Sequence, residues 1–331
     1  MNVDVNRNSF DLWSRSLEDW NAEHGAAFRV SSTHLDWNLG HQSLVRYATT
    51  ELSGVTVIYS VATAEGISAG LAASTLWISL WGRIPEGREI AFVDAISELA
   101  HAAKKTRIVI GADEFHLTSG IPMSSPGGER LIQALNVAGF SGMEVADYVG
   151  DLSSGATAAY IEAARTTAET RGLRLVPVVS DTEFAVIEAF IDREFPGRWT
   201  RELRFWRQSD ETARAIWMSL ADESGVIGFA RMAVRGRVRP FGQGWTPGAL
   251  RLPLHVENPA FFDEHDSCLG PIGVAASERG KGTGKVLLGL VLETLLANDA
   301  RRVCIDWTNA FKYYEPLEYS RVRQLWTAWK G

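Results

Sequence analysis

The stretch LGPIGVAASERGKGTGKVLLGLVLETLL, Leu269–Leu296, places the run Arg279–Gly284 between an apolar strand and a long helix. Glycines in such a turn let consecutive backbone N–H groups converge without side chains in the way. The helix that follows adds the positive end of its dipole, which favours an anion at this point. The sequence therefore predicts that this turn holds a pyrophosphate.

Three kinds of glycine loop compete for this turn. A P-loop requires Gly, four residues, Gly, Lys and Ser or Thr, and the turn lacks that spacing. A dinucleotide fingerprint GxGxxG would start at Gly280 or Gly282, and neither start gives glycine at the sixth position. The remaining pattern, Arg-x-x-Gly-x-Gly at Arg279–Gly284, resembles the coenzyme A loop of the GNAT superfamily of N-acetyltransferases. The alternative is a helix-entry turn that binds no ligand.

The resemblance covers the second half of the chain, from about Leu173 to the end, which opens with a predicted strand, helix and two strands. Near the end, YYEPLEY at Tyr313–Tyr319 looks like the FYEKLGF element of the superfamily, a short helix that flanks the thioester. The chain departs from that element at Pro316, where Lys is usual, and at Glu318, where Gly is usual. Trp307 occupies the position of a common Asn.

The resemblance implies acetyl-CoA as the co-substrate. It implies that the strand Ile272–Val274 pairs with the pantetheine arm and that a backbone N–H of this segment polarises the thioester carbonyl. It also implies that Tyr314 protonates the departing thiolate, although a core aromatic residue is the alternative for this position. The residues predicted to bind the cofactor are Ile272, Gly273, Val274, Arg279, Gly280, Lys281, Gly282, Thr283, Gly284 and Lys285.

An insert in the second half, about Arg235–Glu264, is rich in glycine, proline and aromatic residues. A long loop of this composition is either disordered or functional, and its aromatic residues favour an ordered wall over the acceptor pocket. Trp245 and Glu264 are the predicted substrate residues. The spacing of His255 and His265 fits no metal-binding motif, so no metal site is predicted. The general base is not assigned; the candidates, for which a solvated turn is the alternative, are His255, Glu257, Asp263, Glu264, His265 and Asp266.

The two halves repeat one order of predicted elements, which favours a duplication over chance similarity. In each half a strand, a helix and a further strand follow in the same order, as in Thr75–Trp81, Glu89–Lys104 and Arg107–Ile110. The predicted fold class is α/β (α+β), with two tandem GNAT-like domains, each a mixed, mostly antiparallel central sheet flanked by helices. The predicted domains are a degenerate GNAT-like domain at 1–153, a linking helix at 154–171 and a GNAT-like acetyltransferase domain at 172–331.

The first half lacks a glycine loop at the matching place, where the chain reads GRIPEGR at Gly82–Arg88. Glu86 and Glu89 would repel a pyrophosphate there. We therefore predict that the first domain does not bind coenzyme A productively and serves as a scaffold or as a wall of the substrate cleft. An extra loop, about Asp113–Gly128, is predicted to lie at the surface; the alternative is that its His116 faces the cleft.

Composition excludes several classes of protein. The chain has 33 Lys and Arg against 40 Asp and Glu, and its net charge of -7 argues against nucleic-acid binding. Two cysteines, Cys268 and Cys304, are too few for a disulfide framework or a cysteine-based zinc site, which indicates a cytoplasmic protein. Met1–Trp13 shows no signal peptide, and the uncharged stretch Gly66–Gly82 is too short and polar to span a membrane.

These observations together predict an acetyl-CoA-dependent N-acetyltransferase. The acetyl group would move to a primary amine by direct attack in a ternary complex. The expected partner is a small-molecule or peptide amine, with no nucleic acid and no membrane; the sequence does not specify the oligomeric state. Two alternatives stay open, a non-catalytic sensor or interaction module that binds acyl-CoA, and an enzyme that transfers a longer acyl chain.

Overall fold

The computed structural model of the chain describes residues 7–35, 45–62, 73–111, 113, 116–207, 217–233 and 266–331. The insert with Trp245 and Glu264 lies outside these residues, so both remain sequence predictions. Among the described helices, none combines the length and the apolar character needed to cross a membrane.

Both halves of the chain contain helices and strands. In the first half they are α1 (Arg7–His24), β1 (Val45–Leu52), β2 (Val55–Ala62), β3 (Thr75–Trp81), α2 (Glu89–Ala102), β4 (Arg107–Ile110), β5 (Ile121–Pro122), α3 (Pro126–Val137) and β6 (Ser141–Asp151). In the second half they are α4 (Gly155–Arg171), β7 (Arg174–Pro177), α5 (Asp181–Glu194), α6 (Arg198–Arg207), β8 (Trp217–Asp222), β9 (Gly225–Ala233), β10 (Asp266–Val274), α7 (Thr283–Ala297), β11 (Arg302–Thr308), α8 (Phe311–Tyr314) and β12 (Ser320–Lys330).

The first compact unit contains the described residues up to Ala146 and those from Arg323 onward. In its sheet β1, β2 and β3 are antiparallel neighbours, and β3 and β4 are parallel. The last strand of the chain, β12, completes this sheet, because Ala328 pairs with Ile110 of β4 in antiparallel register. Phe92 and Ile96 of α2 are fully buried and form part of the core of this unit.

The second compact unit contains the described residues between Asp147 and Val322. Its strands β7, β8, β9 and β10 are antiparallel neighbours, and β10 and β11 are parallel. Helix α7 contacts β9 and β10 of this sheet. Its side chains Leu287, Val291 and Leu295 are fully buried. Each unit is therefore a mixed, mostly antiparallel sheet with helices, as the sequence predicted.

Local signals explain the helix that links the two halves. Ser154 accepts a hydrogen bond from the N–H of Thr157 and caps the start of α4, and Gly172 at φ 65° ends the helix in the left-handed conformation. These bounds agree with the linking helix that the sequence predicted at 154–171. In the structure α4 packs closely along α7, where a Cβ added to Gly289 would overlap the Cβ of Ala164. The linking helix is thus an integral part of the second unit.

The prediction of a surface loop at Asp113–Gly128 is wrong for most of its described residues, although two near its end are exposed. Asp113, His116 and Leu117 are buried, at most 4% exposed. The loop is drawn inward because the hydroxyl of Thr118 donates a 2.7 Å hydrogen bond to the carbonyl of Ser79, at the point where β3 and β4 have ceased to pair. In the first unit, the chain that follows β4 therefore lies against the end of β3.

Candidate functional site

The glycine turn of the second unit lies between β10 and α7, a strand and a long helix, as its sequence predicted. Gly280 and Gly282 adopt φ values of 78° and 82°, in the left-handed region where a side chain is disfavoured. A Cβ at either position would meet nothing within 4 Å, so backbone conformation and not crowding requires glycine here. The first hydrogen bond of α7 runs from the N–H of Val286 to the carbonyl of Gly282. The N–H groups of the preceding helical residues are therefore not used by the helix and can face an anion.

A carboxylate organises the side chains of this turn. Glu278 accepts hydrogen bonds from the hydroxyl of Thr283 at 2.7 Å and from the ammonium of Lys281 at 3.1 Å. It also accepts one from Arg171 at 2.7 Å. The bonds from Thr283, Lys281 and Arg171, in that order, lower the pKa of Glu278 to about 2, so the carboxylate is ionised at neutral pH.

Arg171 brings the linking helix into the site. It is the last residue of α4, where the helix dipole favours a cation, and it donates a further 2.8 Å hydrogen bond to the hydroxyl of Thr283. The sequence predicted Thr283 in the site but missed both Arg171 and Glu278. Arg171 lies more than one hundred residues before the turn in the chain, and no local pattern could have indicated this contact.

Strands β10 and β11 separate just before the turn. Their parallel pairing runs from Asp266 with Arg302 to Leu269 with Ile305 and includes no later residue, although both strands continue. On its other side β10 stays paired with β9 through Ile272–Val274. Among the described strands, none therefore pairs with the second edge of Ile272–Val274. An extended ligand can use the backbone groups of such an edge.

Aromatic side chains cover one face of this strand segment. A Cβ on Gly273 would lie 2.6 Å from the ring of Phe195 and 3.0 Å from the ring of Phe229, so only glycine fits there. Phe195 follows α5, and the guanidinium of Arg279 lies 5.6 Å from its ring centroid. Glu194 accepts a 2.8 Å hydrogen bond from the N–H of Ala276, which fixes the end of α5 beside the strand.

Two neighbouring tyrosines of α8 occupy different places. Tyr314, the predicted acid, is 3% exposed, and its ring lies 5.8 Å from that of Tyr148 of β6. Burial, followed by the negative charge of Asp306, raises the pKa of Tyr314, so its phenol keeps its proton at neutral pH. Tyr313, which the sequence analysis did not select, donates a hydrogen bond from its hydroxyl to the carbonyl of Gly284. This bond ties α8 to the first turn of α7.

The other residues predicted to bind the cofactor lie in the glycine turn and in the first turn of α7. Lys281 and Lys285 are exposed, as is Arg279, whereas Thr283 is fully buried. The structure thus brings the strand, the turn and the start of α7 together as one continuous surface of the second unit.

In the corresponding turn of the first unit, a carboxylate side chain of the protein lies at the start of the helix. Glu89, the first residue of α2, is buried and forms a 2.6 Å ion pair with Arg130 of α3. Burial is the largest single influence on the pKa of Glu89, and it raises the pKa. A backbone hydrogen bond at Glu89, the hydrogen bond and charge of Arg130, and a backbone hydrogen bond at Gly87 together outweigh burial, so the pKa lies below its ordinary value. This carboxylate takes the helix N-terminus that a phosphate would need.

The structure resembles those of GCN5-related N-acetyltransferases. Over 99% of the chain it is similar to a GCN5-related glucosamine N-acetyltransferase region in a fungal multi-domain GH3 β-N-acetylglucosaminidase, with a TM-score of 0.75 and 17% identity. The chain spans 38% of the length of that fungal protein. It is also similar to a tandem GNAT protein from the clavulanic acid biosynthesis pathway, with a TM-score of 0.55 and 12% identity over 99% of this chain and 96% of the other.

The sequence matches no protein-family model and no curated protein. The structural likeness shows a GNAT fold in a tandem arrangement, in agreement with the fold predicted from the glycine turn and the repeated order of elements.

Proposed function

We propose that the chain is an N-acetyltransferase whose second unit transfers an acetyl group from acetyl-CoA to a primary amine. The observation that supports this most strongly is the course of β10. Its edge at Ile272–Val274 has no partner among the described strands and leads directly into the turn with the left-handed Gly280 and Gly282. A molecule with an extended amide-containing arm followed by a pyrophosphate matches a strand edge that is followed by an anion-binding turn.

The residues of this surface have distinct proposed roles. The backbone of Ile272–Val274 binds the pantetheine arm and polarises the thioester carbonyl. The turn Arg279–Gly284 and the start of α7 bind the pyrophosphate, and Lys281 exchanges its bond with Glu278 for one with a phosphate oxygen. Tyr314 donates a proton to the departing thiolate; its raised pKa keeps it protonated until the carbon–sulfur bond breaks.

The first unit is proposed not to bind the cofactor. Glu89 and Arg130 already neutralise each other at the helix N-terminus, and the segment with Thr118 lies against the end of β3. One chain should therefore bind one acetyl-CoA.

Calorimetric titration of acetyl-CoA into the protein tests the proposal. We expect one site per chain and a loss of affinity of roughly 100-fold in Gly282→Glu. About 1–2 kcal/mol of this loss comes from the left-handed backbone and about 1 kcal/mol from charge repulsion. Gly139→Glu is the matched control, because Gly139 has φ 79° and equally open space but lies in the first unit. Equal affinity of Gly282→Glu and wild type would contradict the proposed site.

Turnover is then measured with a panel of primary amines. Glucosamine is the first acceptor to try, because a glucosamine N-acetyltransferase region is among the structural neighbours. The release of free thiol together with an acetylated amine is the expected result. A protein that binds acetyl-CoA but acetylates no amine of a broad panel would favour a role as an acyl-CoA sensor.

A further inference from the structure

We propose that Asp306 binds the amino group of the acceptor and takes its proton. This inference rests on the proposed function and adds the group that the sequence left unassigned, the general base. The sequence candidates for this base lie in or beside the insert, whereas Asp306 lies on β11, directly after the last residue of that strand that pairs with β10.

The position of Asp306 in the sheet is the first argument. The parallel pairing of β10 and β11 ends with Leu269 and Ile305, and Asp306 is the next residue of β11. Its carboxylate therefore lies at the point where the two strands separate. In the proposed complex this is also where the thioester end of the pantetheine arm would lie, since the arm follows Ile272–Val274.

Gly270 of β10 leaves room for this carboxylate. The Oδ1 atom of Asp306 lies 3.1 Å from the position that a Cβ on Gly270 would take. Gly270 also has φ 146°, which disfavours a side chain. The register between β10 and β9 shifts between Leu269 and Ile272, so this carboxylate faces an irregular segment of backbone. Backbone N–H groups in such a segment can point at a developing oxyanion.

The chain immediately after Asp306 is held in an uncommon conformation. Trp307 has φ 47°, a left-handed value that costs a bulky residue about 1–3 kcal/mol. Its N–H donates a 2.6 Å hydrogen bond to Oδ1 of Asp147, a fully buried residue of β6. This bond fixes the turn of the chain and with it the direction of the neighbouring Asp306. Strain of this kind is concentrated at functional sites.

The carboxylate of Asp306 and the phenol of Tyr314 interact electrostatically. After burial, the charge of Asp306 is the largest influence on Tyr314 that raises the pKa of its phenol, which places the two groups within electrostatic reach. A carboxylate within electrostatic reach of a phenol that keeps its proton gives one group to accept a proton from nitrogen and one to donate a proton to sulfur.

The reaction balances with these two groups. The acceptor arrives as an ammonium ion and gives one proton to Asp306, which makes the nitrogen lone pair available. The nitrogen forms a bond to the carbonyl carbon, and the carbon–sulfur bond breaks with its electron pair on sulfur. Sulfur takes the proton of Tyr314, and the second proton of the nitrogen restores the phenol. The products are an amide, a thiol and the proton that Asp306 passes to water.

The test uses Asp306→Asn in the full chain, with Asp299→Asn as the control. Asp299 is exposed and follows α7 at φ 63°, where asparagine is well tolerated, so the control makes the same change of charge away from the site. Acetyl-CoA affinity is measured by calorimetry. The value of kcat/KM is measured with the best amine of the panel and with hydroxylamine, which is uncharged at neutral pH.

We expect Asp306→Asn to bind acetyl-CoA within about twofold of wild type and to lose roughly 100-fold or more in kcat/KM for the ammonium substrate. The loss with hydroxylamine should be at least tenfold smaller, because that nucleophile needs no deprotonation before attack. Rate constants of Asp299→Asn should match wild type.

Several results would overturn the proposal for Asp306. These are an equal loss with both nucleophiles, a loss of acetyl-CoA binding in Asp306→Asn, or unchanged turnover in that variant. A wild-type protein that fails to bind acetyl-CoA, or that binds it and acetylates neither the amines nor hydroxylamine, defeats the proposed function itself, which separates the two failures.

Discussion

At the scale of single residues, Glu278 is predicted to make the stability of the second unit depend on pH. Its pKa of about 2 lies below the ordinary value of 4.5, so its ionised form stabilises the folded state. This contribution is fully present above pH 4.5 and is lost as the pH falls through about 2. Glu278→Gln should therefore lower the free energy of unfolding by about 1–3 kcal/mol at pH 7, and by less at pH 3.

Denaturant titrations at the two pH values measure this difference. Glu293→Gln is the matched control, because Glu293 of α7 also pairs with an arginine of α4, Arg165, at 2.6 Å, but both side chains are more than one-third exposed. Such a surface pair contributes about 0–1 kcal/mol. If Glu278→Gln were as stable as wild type at pH 7, the network would not hold the turn.

The residues of the site divide by how local their signals are. Gly280 and Gly282 could be predicted, because a left-handed turn before a helix requires glycine whatever surrounds it. Glu278 lies beside them in the sequence, but its role depends on Arg171, which only folding brings there. Asp306 was missed for a similar reason, because the end of pairing between two strands has no signature in either strand alone.

At the scale of elements, the contact of α4 with α7 is predicted to be intolerant of a single methyl group. Gly289→Ala would place a Cβ against the Cβ of Ala164, and because each Cβ is fixed in position by its helix backbone, the helices must move apart. The expected cost is about 1–3 kcal/mol in the free energy of unfolding, with weaker binding of acetyl-CoA because Arg171 and the turn shift relative to each other.

Gly155→Ala is the control for this change. Gly155 begins α4, and a Cβ there would meet nothing within 4 Å, so alanine should be neutral or stabilise by up to about 1 kcal/mol. Chemical denaturation of both variants measures the difference. Similar stability of the two variants would show that the helices are not in close contact at Gly289.

Elements with strong local signals were predicted well. The bounds of α4 follow from Ser154 and Gly172, and β4 has the bounds that the sequence predicted, Arg107–Ile110. The strand Val45–Leu52 was not predicted, because its residues, VRYATTEL, mix polar and apolar types without a clear period. Its place in the sheet comes from pairing with β2, a tertiary contact.

At the scale of the whole molecule, the compact units are not consecutive pieces of the chain. The predicted boundaries at 153 and 172 divide the chain into consecutive pieces, and they stay a prediction. The compact units instead assign Arg323–Gly331, at the far end of the chain, to the first unit. Sequence repeats locate similar elements but do not show which sheet receives a terminal strand.

The last strand is therefore predicted to be essential to the first unit. In a fragment of residues 1–153, Ile108–Ile110 would lose the antiparallel partner Ala328–Lys330, and the buried side chains of Leu325 and Ala328 would be missing from the core. Burial of a leucine alone is worth about 1.5–3 kcal/mol, a large share of the stability of a domain of this size. The fragment should lack a cooperative unfolding transition by circular dichroism and show no hydrogen-exchange protection in β4.

A second fragment provides the decisive comparison, with residues 320–331 joined after residue 153 through a long glycine and serine linker. Restored cooperativity and slow exchange at Ile108–Ile110 are expected, because the added segment supplies the missing pairs and side chains, and the flexible linker adds only a small loop-closure cost. If the bare fragment already unfolded cooperatively with β4 protected, the first half would be a domain by itself and β12 an accessory to it.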